Sequence, residues 1–356
     1  MAAGGTPAPT REEAGREDAM KLDARLVFDS LRDVPAIAAA AESLGFDGVW
    51  TSETTHDPFL AMALAAAHTQ RITLGTAIAL AFTRSPTVLA HTAWDLAQLS
   101  GGRFVLGLGT QVKAHITRRF GVPWDPPAPK LREVIAAIRA VWAAWAEGKP
   151  LNFRGRFFTL SLMTPFFTPP GPSPPGLRIE IAGVGPRMCR LAGEVADGLH
   201  VHPFHTRRYL REVIMPALGA GLDRAGRSRR NVSVTCSVFA AAGTTREVQA
   251  ARADIRRHLA FYASTPTYRP VLELHGWGEI GERLSRLAAH KRWDEMPALV
   301  RDDMLDACTL HGAPHEVAAQ MKAEYGAHAD RLVVYEALEP GRRQDVWRTL
   351  IAGASG

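Results

Sequence analysis

"RITLGTAIALAFTRSPTVLAHTAWDLAQLSGGRFVLGLGT", from Arg71 to Thr110, sets two short apolar, β-branched runs on either side of an amphipathic stretch. The runs Arg71 to Leu80 and Arg103 to Thr110 read as strands, and the stretch from Ser85 to Gly102 reads as a helix between them. Pro86 stands near the helix start, where a missing N–H costs nothing. A strand, a helix and a strand of these lengths make a βαβ unit.

The same rhythm runs outward in both directions. Upstream, strands are expected at Ala24 to Asp29 and Phe46 to Ser52, around a helix that begins at Val34 and stops at Gly45. Downstream, they are expected at Leu177 to Ile181, Asp197 to Pro203, Asn231 to Ala240 and Arg331 to Leu338. An aromatic-rich hairpin is expected over Leu151 to Leu160. Eight strands in this rhythm predict an α/β fold, a closed (β/α)8 TIM barrel, with an open doubly wound sheet as the other solution that periodicity allows. The loop Thr164 to Gly176 and the irregular helical stretch Ser264 to Asp306 read as insertions over the C-terminal face.

Residues 1–19 mix Gly, Pro, Ala and charge without a periodic apolar face, so they read as a disordered extension before one barrel domain over 20–356. No apolar stretch is long and clean enough to span a bilayer. Three scattered cysteines suggest neither disulfides nor a Cys-based zinc site, which fits a reducing, cytoplasmic setting. The net charge is +6, with arginines clustered at Arg118–Arg119, around Arg207 and from Arg224 to Arg230. No aromatic residues interleave with them. They read as solvated faces, and no nucleic-acid partner is expected.

In such barrels the chemistry gathers at the C-terminal strand ends. The candidates there are Glu53 and His56 after the second strand, Ala77–Ile78 in the third, and Gly107, Gly109 and Thr110 in the fourth. Gly183, Val184 and Gly185 follow the fifth strand, and His200, His202 and His205 lie at the sixth. Glycines let backbone approach a ligand closely, and Pro186 opens a helix whose free N–H groups favour a phosphate. His202 is two residues beyond His200, on the same face and nearer the mouth, where an imidazole titrating near neutral pH would serve as acid or base.

The segments "LGFDGVWTSE", "ITLGTAIAL…TRSPTVLAHTAWDLAQLSGGRFVLGLGTQ" and "IAGVGPRMCRLAGEVADGLHVHPF", in this order and spacing, resemble the luciferase-like monooxygenase superfamily. Within it they resemble the branch of oxidoreductases that use the deazaflavin coenzyme F420. The resemblance runs from about Met20 onward. It implies a deazaflavin ring across the barrel mouth, a non-proline cis peptide at Ala77–Ile78 beneath it, and cofactor contacts from Gly107, Gly109, Thr110 and Gly183 to Gly185. It also implies an acidic residue near the ring at Glu53, and a substrate contact at His202. Lys113 or Arg118–Arg119 would meet the coenzyme's anionic tail.

The chain departs from the pattern at Thr54, where luciferases and the sugar-phosphate dehydrogenases carry histidine, and at Val112, where the latter carry an acid. Both of those chemistries are thereby put in doubt. The reading is hydride transfer between F420 and an apolar small-molecule substrate, by catalytic groups among Glu53, His56 and His202, with no resident metal. A homodimer is compatible with it. The alternatives are a two-component monooxygenase using reduced FMN supplied by a flavin reductase, a barrel hydrolase with zinc on His200 and His202, and a non-catalytic cofactor-binding barrel.

Overall fold

Twelve strands appear in the computed structural model, which describes residues 19–355. They are β1 (Lys21–Arg25), β2 (Gly48–Thr51), β3 (Thr73–Thr76), β4 (Ala79–Leu80), β5 (Phe104–Gly109), β6 (Phe153–Arg154), β7 (Thr159–Leu160), β8 (Ile179–Gly183), β9 (Gly198–Val201), β10 (Ser233–Ala242), β11 (Thr309–Gly312) and β12 (Arg331–Ala337). The path β1–β2–β3–β5–β8–β9–β10–β12 is parallel throughout and returns to β1, so the sheet closes as a (β/α)8 barrel. The open doubly wound alternative is thereby set aside. β6 and β7 form the expected hairpin outside the barrel. Residues 1–18, nearly all of the expected extension, lie outside the described residues.

One strand is shifted, one is broken and one is additional relative to expectation. The first strand runs Lys21–Arg25, not Ala24 to Asp29: beyond Leu26 the chain leaves the sheet, and Val27 is 41% exposed. The third strand is broken between Thr76 and Ala79, where the Ala77–Ile78 bond is cis. β11 is an additional strand, paired with the second half of β10, Phe239 to Ala242, after β10 has already met β9 and β12 through its first half. The stretch before it is helical as expected, in short pieces including Arg269–Leu274 and Gly278–Ala289.

Local signals explain where the surrounding helices start and stop. Ser85 accepts from the Val88 N–H at 3.2 Å to cap the helix Pro86–Leu99. The helix Val34–Leu44 ends at Gly45, whose φ of 97° suits only glycine. Apolar side chains of helices and outward strand faces form one large core between the two layers.

The lumen is packed separately, by Trp50, Val105 and Val333, with Ala77 against them. Its charged members pair across the strands. Arg331 grips Asp23 through two bonds of 2.6 and 2.7 Å, and Trp50 Nε1 donates to the same carboxylate at 2.7 Å. His200 Nε2 lies 2.8 Å from Glu180 Oε2, and the His200 ring meets the edge of Trp50. Residues of β1, β2, β8, β9 and β12 thus touch one another, as only side chains inside a closed barrel do.

Candidate active site

The expected site residues divide once the mouth is seen in place. Ala77 and Ile78 are held by the end of β2: the Ala77 N–H donates to Thr51 O at 2.7 Å, Ser52 Oγ donates to Ala77 O at 2.6 Å, and the Glu53 N–H donates to Ile78 O at 3.0 Å. Glu53 itself is a strut. Its Oε2 accepts from the Leu80 N–H and from Arg84 Nη1, each at 2.7 Å, and Arg84 also binds Asp57. A carboxylate so engaged holds the β4 turn to β2. Glu53 was expected among the catalytic groups, and its bonds here are those of a positioning residue.

The glycines are also sorted. A Cβ on Gly107 would stand 1.8 Å from the Thr76 carbonyl oxygen, so this glycine serves strand packing inside the barrel and gives no cofactor clearance. On Gly109 it would meet the Ile78 side chain at 2.5 Å, and on Gly183 it would meet Leu199 and Met188 at 3.2–3.3 Å. At these three positions the protein's own packing already accounts for glycine. Val184 is buried, and its carbonyl accepts from the Tyr209 hydroxyl at 3.2 Å. Gly185 differs: nothing lies within 4 Å of where its Cβ would be, and it is the N-cap of the helix Pro186–Val195. Open space meets the helix N-terminus there: Pro186 has no N–H and the Gly185 carbonyl takes the Met188 and Cys189 N–H groups at 3.0 and 3.2 Å, which leaves the Arg187 N–H toward a ligand. Thr110 is partly exposed at the end of β5, and the next residue, Gln111, adopts φ of 55°.

Of the three histidines, only His202 faces the mouth. His205 is used at both nitrogens, by His202 O at 2.8 Å and by the Tyr325 hydroxyl at 3.2 Å, and burial pushes it down to about 4. His202 stacks on Tyr268 with ring centroids 4.6 Å apart and meets the edge of Tyr262 at the same distance. Burial, and then the nearby His205, push its imidazole down to about 3. So held, the imidazole is neutral near pH 7. Nδ1 accepts from the Phe204 N–H at 3.1 Å, which leaves the proton on Nε2. His202 is a neutral hydrogen-bond donor, its ring packed in an aromatic wall.

His56 lies flat on Phe28, centroids 5.0 Å apart, beside a cleft at the ends of β1 and β2. Arg119 donates to Thr54 O at 2.6 Å, which ties two loops together. Among the described residues no group of three His, Cys, Asp or Glu side chains is placed to hold a metal ion. The zinc reading thus lacks a donor set. No helix among them is long and apolar enough to cross a membrane. A cleft of about 470 Å³ lies in the outer layer between the helices Pro127–Glu147 and Pro186–Val195.

Arg25, Ser52, Tyr262, Tyr268 and Tyr335 were not among the sequence candidates. Tyr262 and Tyr268 sit some sixty residues from His202 and carry no local signal. The Tyr335 ring holds the Arg25 guanidinium 3.9 Å from its centroid, and its hydroxyl meets that of Tyr262.

A family model described as luciferase-like monooxygenase matches residues 5–331. An uncharacterized protein of Mycobacterium tuberculosis is 46% identical over 88% of this chain and 92% of its own length. A 5,10-methylenetetrahydromethanopterin reductase of Archaeoglobus fulgidus is 27% identical over 86% of this chain and 90% of its own. The solved coenzyme F420-dependent tetrahydromethanopterin reductase from Methanopyrus kandleri superposes with a TM-score of 0.77 at 23% identity, covering 93% and 97% of the two chains.

Proposed function

The chain belongs to the luciferase-like monooxygenase family, and we propose that it is an F420-dependent oxidoreductase acting on a small organic substrate at the barrel mouth. The observation that carries this reading is the open cradle above Gly185, at a helix N-terminus on the rim that also bears the Ala77–Ile78 pair. A phosphate-bearing planar cofactor fits both features. The Gly185 turn and the Arg187 N–H would hold its phosphate, and the 77–78 turn would lie under its ring. When bound, the deazaflavin supplies two-electron hydride chemistry.

The protein's own groups do the rest. His202 keeps its proton on Nε2 and donates a hydrogen bond to a substrate oxygen, stabilising negative charge there without giving up the proton. Tyr262 and Tyr268 hold that ring in one orientation and narrow the access of water to it. Ser52 and Glu53, through the bonds described above, act as positioning residues for the 77–78 turn.

The test is a fluorescence titration of the purified protein with F420 and with FMN. F420 is expected to bind about tenfold more tightly or better, a difference of about 1.4 kcal/mol. Equal or reversed affinities would favour the FMN-dependent monooxygenase.

A further inference from the structure

We propose that the cleft between the ends of β1 and β2 is an anion subsite, built around Arg25, that takes the carboxylate of the substrate. This rests on the barrel mouth being the reaction site.

Asp23 and Arg25 are two apart on β1 and so project to the same side of the sheet, into the barrel. Asp23 lies deep and is neutralised by Arg331. Arg25 lies at the rim, and among the described residues no carboxylate pairs with it. Its guanidinium rests on the Tyr335 ring, and Nη1 makes a single bond of 3.2 Å to Tyr335 O. A guanidinium has five N–H donors, so most of its hydrogen-bonding capacity is unspent. A half-buried cation without a counterion carries a desolvation cost that an anionic ligand offsets.

The cleft beside it is about 40 Å³ and is lined by Arg25, Phe28, Ser52, Thr54, Thr55 and His56, among others. Its lining includes one cationic residue, four hydroxyl-bearing residues and no acid. A water molecule needs roughly 10–15 Å³ of such space, so the cleft takes a group of about three heavy atoms. That matches a carboxylate and excludes a ring. Ser52 bonds to Ala77 O, which puts the cleft directly beside the 77–78 turn.

The body of the ligand must lie outside the cleft. From Arg25 a continuous aromatic surface leads through Tyr335 and Tyr262 to His202 and Tyr268. A flat, unsaturated body suits that surface. The substrate class is thus an aromatic or unsaturated carboxylate, with the carboxylate on Arg25 and the reacting part toward His202.

The probes are 4-fluorobenzoate and its neutral isostere 4-fluorobenzamide, titrated onto the full chain by fluorine NMR at low ionic strength. The benzoate is expected to bind about tenfold more tightly. Arg25→Met should abolish the difference in a protein whose circular dichroism is unchanged, and Arg25→Lys should keep part of it. If Arg25→Met does not fold, Thr54→Glu places a carboxylate in the cleft and is expected to remove the preference by repulsion. Equal binding of the two probes, or a preference that survives in a folded variant, overturns the proposal. F420 binding without a benzoate preference sinks the subsite alone, whereas a benzoate preference without F420 binding sinks the cofactor reading.

Discussion

Asp23→Ala is expected to cost about 3–5 kcal/mol of folding stability, the usual cost of removing one partner from a buried ion pair. Asp23 is completely buried and accepts from Arg331 twice and from Trp50 once. Burial alone would push the Arg331 guanidinium down, yet Asp23, with help from Glu180 and Asp47, holds it above its usual value. Without Asp23 that charge stays in the lumen unpaired, and the Trp50 N–H loses its acceptor. Urea unfolding followed by Trp fluorescence and circular dichroism together measures the loss. Asp23→Asn, which keeps an acceptor for Trp50, should cost less. A folded Asp23→Ala protein with an unchanged midpoint would mean that the pair contributes nothing to closing the barrel.

His202→Ala is expected to lower turnover by roughly a hundredfold while leaving F420 affinity nearly unchanged. Because its imidazole is held down to about 3, His202 stays neutral between pH 5 and 8 and contributes no step to the pH profile of kcat in that range. His202→Gln, which retains a side-chain N–H donor, should recover part of the rate. The same shift makes a stability statement. The unfolded histidine takes up a proton near pH 6.5 and the folded one only near 3, so its contribution is complete above about pH 6.5 and is lost as pH falls toward 3. A kcat step near pH 6.5 that disappears in His202→Ala would instead make the residue a titrating acid–base.

The barrel was legible because the strand–helix alternation repeats along almost the whole chain, and each local signal agrees with it. Pro86 does open its helix, and Gly45 does close its own. What failed were decisions made by tertiary packing. The apolar run Leu26, Val27, Phe28 looks like strand, but Phe28 instead leaves the sheet and packs on His56. That four-residue error put Arg25 near the start of the strand, when it is the last residue of β1 and stands at the rim. A glycine likewise shows only that space is needed. The Thr76 carbonyl fills it at Gly107, the Ile78 side chain fills it at Gly109, and only at Gly185 is it left open. β11 escaped notice because β10 is long enough to serve two sets of neighbours. The cis bond at Ala77–Ile78 came from the family resemblance, since nothing in an Ala-Ile pair signals it.

The most direct test of the cofactor assignment is F420 titration of Gly185→Val beside the unchanged protein. The new side chain points into space that holds no protein atom within 4 Å, and Gly185 has φ of −73° and ψ of 149°, which valine adopts readily. The unliganded fold should therefore keep its circular dichroism and thermal midpoint. If a phosphate seats against that backbone, the isopropyl group blocks its approach, and F420 affinity should fall by about tenfold or more. A stable Gly185→Val protein that binds F420 as tightly as the original would contradict the placement of the cofactor at this turn.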